Sequence, residues 1–151
     1  MFAHRRGSAP RAAAIALAAT LSIGSLAPPA EALRPLEDRL SKLVNTARRN
    51  HGIRRVQVSA WLSRKARGHS IQMARRGSLY HTRCLSCMFR SRRWNRIGEN
   101  VGLAHTVQRV HRLMMQSSSH RSNILGRAYK RVGVGVKKTR RGVWVTEMFW
   151  G

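Results

Sequence analysis

Acidic side chains are scarce in this sequence of 151 residues: five Asp and Glu stand against 30 Lys and Arg, and the formal net charge is +25. An imbalance of this size gives a protein surface a strong attraction for polyanions. Nucleic acid is the first partner to consider for so basic a chain. The alternative is a highly solvated surface without a dedicated partner, because charge describes solubility better than function.

Apolar runs long enough to span a bilayer are also missing. The run AAAIALAATLSIGSLA at residues 12–27 has 16 residues, whereas a membrane-spanning helix needs about 20. It follows three arginines and precedes the small-x-small triplet at residues 30–32, which is the order of a secretory signal peptide. We therefore expect residues 1–32 to be a signal peptide that is cleaved near Ala32, with an uncleaved N-terminal anchor as the alternative.

Export would leave residues 33–151 as a single secreted domain, because a chain of this length forms one core and not two. We assume that this domain is a monomer. Export also weighs against nucleic acid as a partner. The polyanions outside a cell include anionic lipid head groups and wall polymers. The predicted partner is therefore an anionic cell-wall polymer or membrane surface, held in a salt-dependent way.

Cysteine is limited to Cys84 and Cys87, which enclose two residues. One Cys-x-x-Cys pair supplies half of a zinc site, and the second pair is absent. A thioredoxin-like role requires a βαβ unit, which the sequence does not show. In an oxidising compartment we expect a local disulfide that pins a loop. The alternative is a zinc cluster of these two cysteines with His81 and His120.

Three helices are predicted from apolar periodicity and end signals. The first runs from Pro35 and ends before Gly52, with basic residues in its last turn that suit the helix dipole. Ser59 caps a second helix, which Gly77 ends, and Thr106 caps a third. No internal repeat interrupts this part of the chain.

Strands are predicted mainly at the C-terminal end. RVGVGVKK and GVWVTEMFW both alternate, and TRRG between them predicts a hairpin turn. A short VQV strand precedes the second helix, and residues 78–105 lack clear periodicity and are predicted to form a long loop. Helices first and a terminal hairpin last indicate an α+β sandwich.

Three polar residues are candidates for chemistry: His81, Glu99 in IGENVG, and His120 in SSSHRSN. Two imidazoles and a carboxylate form a common zinc ligand set that leaves a fourth position open. The two histidines are far apart in sequence and do not match an H-E-x-x-H pattern, so spacing alone does not bring them together. The alternative interpretation makes each histidine an exposed or hydrogen-bonded side chain, and Glu99 an ion-pair partner for an arginine.

Seven segments in this order resemble one family, the CAP superfamily of proteins related to cysteine-rich secretory proteins, antigen 5 and plant pathogenesis-related proteins. They are LVNTARRNHG, VQVSAWLSRKARGHSIQMARRG, LYHT, IGENVG, SSSHRSNILG, RVGVGV and WVTEMFWG. The resemblance covers about residues 36–151, and the chain looks like a member of the simpler bacterial branch. It implies a three-layer α-β-α sandwich with a cleft that holds two histidines and two acids.

The resemblance assigns His81 as the first cleft histidine, Glu99 as the acid of the GEN block and His120 as the second histidine. It implies that the cleft can hold zinc or another divalent cation. Several members bind sterols, fatty acids or other proteins, and most have no demonstrated enzyme activity.

The second acid of the family pattern is missing, because Ser117 or a neighbour stands where it is expected. Asn100 and Glu147 are further candidates for the cleft, and Glu147 compensates for the missing acid if its strand face points there. We predict a secreted, non-enzymatic binding module for a divalent cation or small ligand, a lipid included. The alternatives are a cation-dependent peptide or ester hydrolase with Glu99 as general base, and a polyanion-binding protein.

Overall fold

The computed structural model describes residues 34–151, so the signal peptide predicted for residues 1–32 lies outside the described residues. A four-stranded sheet lies between two layers of helices, as predicted for an α+β, α-β-α sandwich. Within the described residues, no helix is both long and apolar enough to cross a membrane. The elements are α1 (Pro35–Asn50), β1 (Gln57–Val58), α2 (Ala60–Arg76), α3 (Leu85–Met88), β2 (Ile97–Ala104), α4 (Val107–Gln116), α5 (Ser118–Ile124), β3 (Arg131–Thr139) and β4 (Gly142–Trp150).

The sheet has the order β1-β3-β4-β2, and only the β1–β3 pair is parallel. β3 and β4 form the predicted hairpin, in which Thr139 pairs with Gly142 across the two-residue turn. Gly142 has a φ of +126°, a conformation that L side chains rarely adopt. β2 lies at the edge of the sheet beside β4.

Helix α2 covers one face of the sheet, and α1, α4 and α5 cover the other. Gly133 and Gly135 of β3 allow α2 to approach closely, because a Cβ at Gly135 would overlap the backbone of Ala66 and Arg67. On the other face, the valines of β3 pack against apolar residues of α1, with Leu40 fully buried. The main core therefore lies between the sheet and the α1/α4/α5 layer.

The prediction of a long loop over residues 78–105 is wrong for residues 85–88, which form α3, and for residues 97–104, which form the eight-residue strand β2. β2 was not predicted because its residues do not alternate between apolar and polar. Glycine and polar residues occupy positions that are usually apolar in a strand. Gly98, Glu99, Asn100 and Val101 are all buried, so neither face of this stretch carries an apolar stripe.

Strand β1 covers only the start of β3, where Val58 pairs with Val132. Beyond that point the outer edge of β3 meets side chains from both helical layers. The N–H of Val134 donates to Ser63 Oγ of α2 at 3.2 Å, and the N–H of Val136 donates to Glu37 Oε1 of α1 at 3.4 Å. These bonds satisfy buried backbone donors that a longer β1 would otherwise pair.

Glu37 also links the two helical layers through an ion pair. Its fully buried carboxylate accepts from Arg67 Nε at 2.7 Å and from Arg67 Nη2 at 2.6 Å. Forked pairs of this kind have a fixed geometry. The pair therefore fixes α1 relative to α2.

Arg48 differs from its expected place at the exposed end of α1, because its side chain is fully buried. Its guanidinium donates to the backbone oxygens of Arg54, Ile124, Gly126 and Tyr129 at 2.8 to 3.4 Å. Burial lowers the pKa of this guanidinium. The arginine thereby connects α1 to the segment that follows α5.

Candidate functional site

The carboxylate of Glu99 lies on the α2 side of edge strand β2 and is nearly buried, with a side-chain exposure of 4%. Oε2 accepts from the N–H of Thr82 at 2.8 Å, and Oε1 accepts from the Thr82 hydroxyl at 2.5 Å. His81 Nδ1 lies 2.9 Å from Oε2, and its side chain is 61% exposed. A carboxylate only accepts, so His81 donates from Nδ1.

His69 of α2 is a further neighbour of Glu99 that the sequence analysis did not identify. Its Nε2 lies 4.0 Å from Glu99 Oε1 and donates to the carbonyl of Tyr80 at 2.8 Å. The signal was present in the helical spacing, since position 69 falls on the same buried face of α2 as Leu62, Ala66 and Met73. His69 thus holds the segment that leads to His81.

His120 lies on α5, on the other side of β2, and is half-buried. Its Nδ1 lies 2.8 Å from Ser117 Oγ, and its backbone oxygen accepts from Asn100 Nδ2 at 3.1 Å. Burial lowers the pKa of His120, and the charge of His81 lowers it further. The structure therefore places the two predicted histidines at the same edge of the sheet, close enough for their charges to interact, with His81 on the segment after α2 and His120 on α5.

Ser117 stands between α4 and α5, where the family pattern has an acid. Its hydroxyl contacts His120 instead of supplying a carboxylate. The residue therefore orients the second imidazole but adds no negative charge to the cleft.

Asn100 belongs to a chain of buried polar side chains. Its Nδ2 donates to Glu147 Oε2 at 3.0 Å, and its Oδ1 accepts from Asn123 Nδ2 at 2.9 Å. Asn123 also donates to the backbone oxygen of Glu99 at 3.2 Å and accepts from the Tyr129 hydroxyl at 3.2 Å. This network fixes α5, and with it His120, to strand β2.

Glu147 is fully buried and does not join the Glu99 carboxylate. Its neighbours Thr146 and Met148 face α2, so the alternation of β4 turns Glu147 toward the other face. Burial raises the pKa of Glu147 to about 7, against the opposing effect of the Asn100 hydrogen bond, and Oε1 has no hydrogen-bond partner among the described residues. Glu147 therefore faces the helical layer that carries His120 and not the side that carries Glu99, and its role as a substitute for the missing acid stays a prediction.

His81 and His120 are better placed than Glu99 to act as metal ligands. Each imidazole is held at Nδ1 by an oxygen, which leaves Nε2 without a partner among residues 34–151. Metal-binding histidines are commonly fixed in this way by a hydrogen bond to the other nitrogen. Both oxygens of Glu99 already accept hydrogen bonds, and the described part of the chain contains no group of three His, Cys, Asp or Glu side chains that could hold a metal ion.

Cys84 and Cys87 are joined by a disulfide just before α3. Both sulfurs are therefore engaged in this bond. The alternative zinc cluster of these sulfurs with His81 and His120 is not formed.

Comparison with known proteins identifies a family model. The model described as "Cysteine-rich secretory protein family", CAP, matches residues 42–149. No curated protein sequence matches the chain.

Solved structures of low sequence identity share the fold. An outer surface protein of Borrelia burgdorferi has a TM-score of 0.67 and 15% identity, over 75% of this chain and 90% of its own. An extracellular SCP-domain protein of Bacillus anthracis has a TM-score of 0.66 and 20% identity, over 80% of this chain and 44% of its own. NaASP2, solved with Zn²⁺, has a TM-score of 0.59 and 8% identity, over 76% of this chain and 78% of its own.

Proposed function

The chain belongs to the cysteine-rich secretory protein family, CAP, and from this premise we propose that it is a secreted binding module and not an enzyme. The cleft of His81, Glu99 and His120 binds a divalent cation or a small ligand, a lipid included. The basic surface keeps the protein at a cell wall or an anionic membrane. The observation that supports the cleft most directly is the pair of imidazoles held at Nδ1 with Nε2 unbonded.

Zinc is the cation that we propose. Neutral imidazole nitrogen is among its preferred ligands, and the lowered pKa of His120 favours the neutral ring at pH 7. His81 and His120 would bind it, with Glu99 and Ser117 as the partners that orient them. When bound, such an ion offers open positions to an anionic or carbonyl oxygen of a small ligand. The polar side chains around this cleft favour such a ligand over a lipid.

Hydrolysis with Glu99 as general base has less support. A general base must be within reach of the proton that it takes. The carboxylate of Glu99 is nearly buried, and both of its oxygens accept hydrogen bonds from Thr82 or His81. Its geometry suits a residue that positions His81.

Calorimetric titration with zinc tests the cleft. We expect His81→Ala and His120→Ala each to weaken zinc binding at least tenfold, and Glu99→Gln to weaken it by about tenfold through the loss of an orienting partner. His105→Ala is the matched control, because His105 is an exposed histidine on the segment after β2, and it should change the affinity less than twofold. Equal affinities in the wild type and the two cleft alanine variants would remove the cation site.

Export is tested separately. Mass spectrometry of the native protein should find an N-terminus near Leu33. An intact Met1 would contradict cleavage and restore nucleic acid as a candidate partner.

A further inference from the structure

Five depressions adjoin one another on the surface. Their volumes are about 410, 130, 460, 150 and 200 Å³, in order from the start of α1 to the C-terminus. Each shares lining residues with the next. The first and second share Lys42, the second and third share Arg55, the third and fourth share Arg54 and Arg55, and the fourth and fifth share Lys130 and Arg131. The five therefore lie in a row along the surface, and we call this row the groove.

Basic side chains line this groove along its whole length. We call the following residues the basic track: Arg39, Arg49, Arg54, Arg55, Lys130 and Arg131. All six are exposed. The groove also contains Lys42, which is paired with Asp38 at 2.7 Å.

The charge of the basic track is not neutralised by the described part of the chain. The four acidic residues among residues 34–151 have other partners. Asp38 pairs with Lys42, Glu37 with Arg67 and Glu99 with His81, and Glu147 belongs to the buried network with Asn100. Asp38 also lines the first depression, but the groove carries a large excess of positive charge, and such an excess concentrates ions of the opposite sign. The complementary partner is therefore polyanionic.

The length of the basic track fits a polymer and not a single anion. Arg39 and Arg49 are ten residues apart on one helix, which corresponds to about 15 Å. The groove then continues past Arg54 and Arg55 to the start of β3. A chain with regularly repeated charges can occupy successive sites along such a groove.

The chemistry of the lining favours an oxyanion polymer that carries no bases. Arginine presents a planar fork that matches phosphate and carboxylate oxygens. The aromatic ring in the groove, Trp150, is covered by Arg131 at 5.0 Å and by Arg92 at 5.6 Å, so its face is not free to stack on a base. The exposed large apolar residues of the described chain, such as Trp94 and Leu113, do not line these depressions, so the groove has no anchor for a bilayer.

We propose that the basic track binds an extended polyol-phosphate chain, an anionic wall polymer whose repeating charge is a phosphodiester. The inference rests on the surface-retention part of the proposed function and names its ligand and its residues. It is independent of the zinc cleft.

Binding of glycerol-phosphate oligomers to the full chain, measured between 50 and 200 mM salt, tests the proposal. The track variant carries four charge-neutralising substitutions: Arg54→Gln, Arg55→Gln, Lys130→Gln and Arg131→Gln. The matched control removes the same charges from exposed positions outside the track: Arg64→Gln, Arg75→Gln, Lys138→Gln and Arg140→Gln. A single-stranded oligonucleotide and an anionic lipid vesicle serve as competing probes.

We expect the track variant to lose at least about tenfold in affinity and the control less than threefold. The slope of log affinity against log salt should fall in magnitude by about 2 to 3 in the track variant, since each lost contact contributes about 0.7 for a flexible chain. Unchanged circular dichroism and an unchanged midpoint of urea unfolding would show that the variant is folded.

Equal losses in the track variant and the control would overturn the basic track while leaving diffuse surface retention intact. Tighter binding of the oligonucleotide or the vesicle than of the glycerol-phosphate oligomer would overturn the polymer assignment. If none of the three probes binds even at 50 mM salt, surface retention fails as well, and the zinc titration still decides the cleft.

Discussion

Consider the free energy of unfolding of Glu147→Gln minus that of the wild type. We expect this difference to be more favourable to the variant at pH 8 than at pH 5. The pKa of Glu147 is raised from 4.5 to about 7 in the fold, chiefly by burial. The unfolded chain therefore loses this proton at a lower pH than the folded one does. Between pH 4.5 and 7 the unfolded state binds fewer protons, so the stability of the wild type falls as the pH rises.

The magnitude follows from the size of the shift. A shift of about 2.5 pKa units corresponds to about 3 kcal/mol over the full titration, of which about 2 to 3 kcal/mol falls between pH 5 and 8. Glutamine keeps an oxygen for Asn100 and does not titrate. Its amide occupies the place of Oε1, which has no partner among the described residues, and this cost is the same at both pH values.

Urea unfolding followed by tryptophan fluorescence at pH 5 and pH 8 measures the effect. Asp38→Asn is the control, because Asp38 is a partly exposed acid in a surface ion pair and should contribute less than about 0.5 kcal/mol. The free energy of unfolding of Glu147→Gln, minus that of the wild type, could instead be the same at both pH values or decrease toward pH 8. Either result would refute the assignment of a buried, proton-binding carboxyl.

Three further substitutions test the packing, each by urea unfolding. Arg48→Met should cost at least about 3 kcal/mol, because four backbone oxygens lose a donor and two of these bonds are fully buried; a loss below about 1 kcal/mol would contradict this role. Gly135→Ala should cost about 3 kcal/mol, because the added methyl group overlaps the backbone of α2, and a tolerated alanine would disprove the close approach. The joint change Cys84→Ser and Cys87→Ser should cost no more than about 2 kcal/mol, because the bond closes a very short ring; a larger loss would indicate a wider structural role for this bond.

The helices and the hairpin were predictable because their signals are local. Pro35 and Gly52 bound α1, Ser59 accepts from the N–H of Leu62 at the start of α2, and Gly77 ends α2 with a φ of +69°. Periodicity and end signals lie within one turn or one strand, so the sequence alone displays them.

Strand β2 and the place of Arg48 were not predictable, because both depend on distant partners. β2 is a strand through its pairing with β4, and its buried polar residues are satisfied by α5 and by the segment before α3. Arg48 looks like an ordinary C-terminal cation of a helix. The return of residues 124–129 to the end of α1 supplies three of the four carbonyl groups that allow its burial.

The residues of the candidate site were identified through motif resemblance. Their geometry could be determined only from the folded structure. The sequence identified His81, Glu99 and His120 as candidates. It did not show that both carboxylate oxygens of Glu99 accept hydrogen bonds from Thr82 and His81. The direction in which Glu147 faces depends on the register of two antiparallel strands, which no local pattern encodes.

The shortness of β1 has a consequence for association between molecules. An open strand edge ordinarily recruits another chain, either as a bound peptide or as the first step of aggregation. Here Ser63 and Glu37 already accept the N–H groups of Val134 and Val136 that an incoming strand would need. This border of the sheet therefore cannot add a strand without first breaking buried bonds.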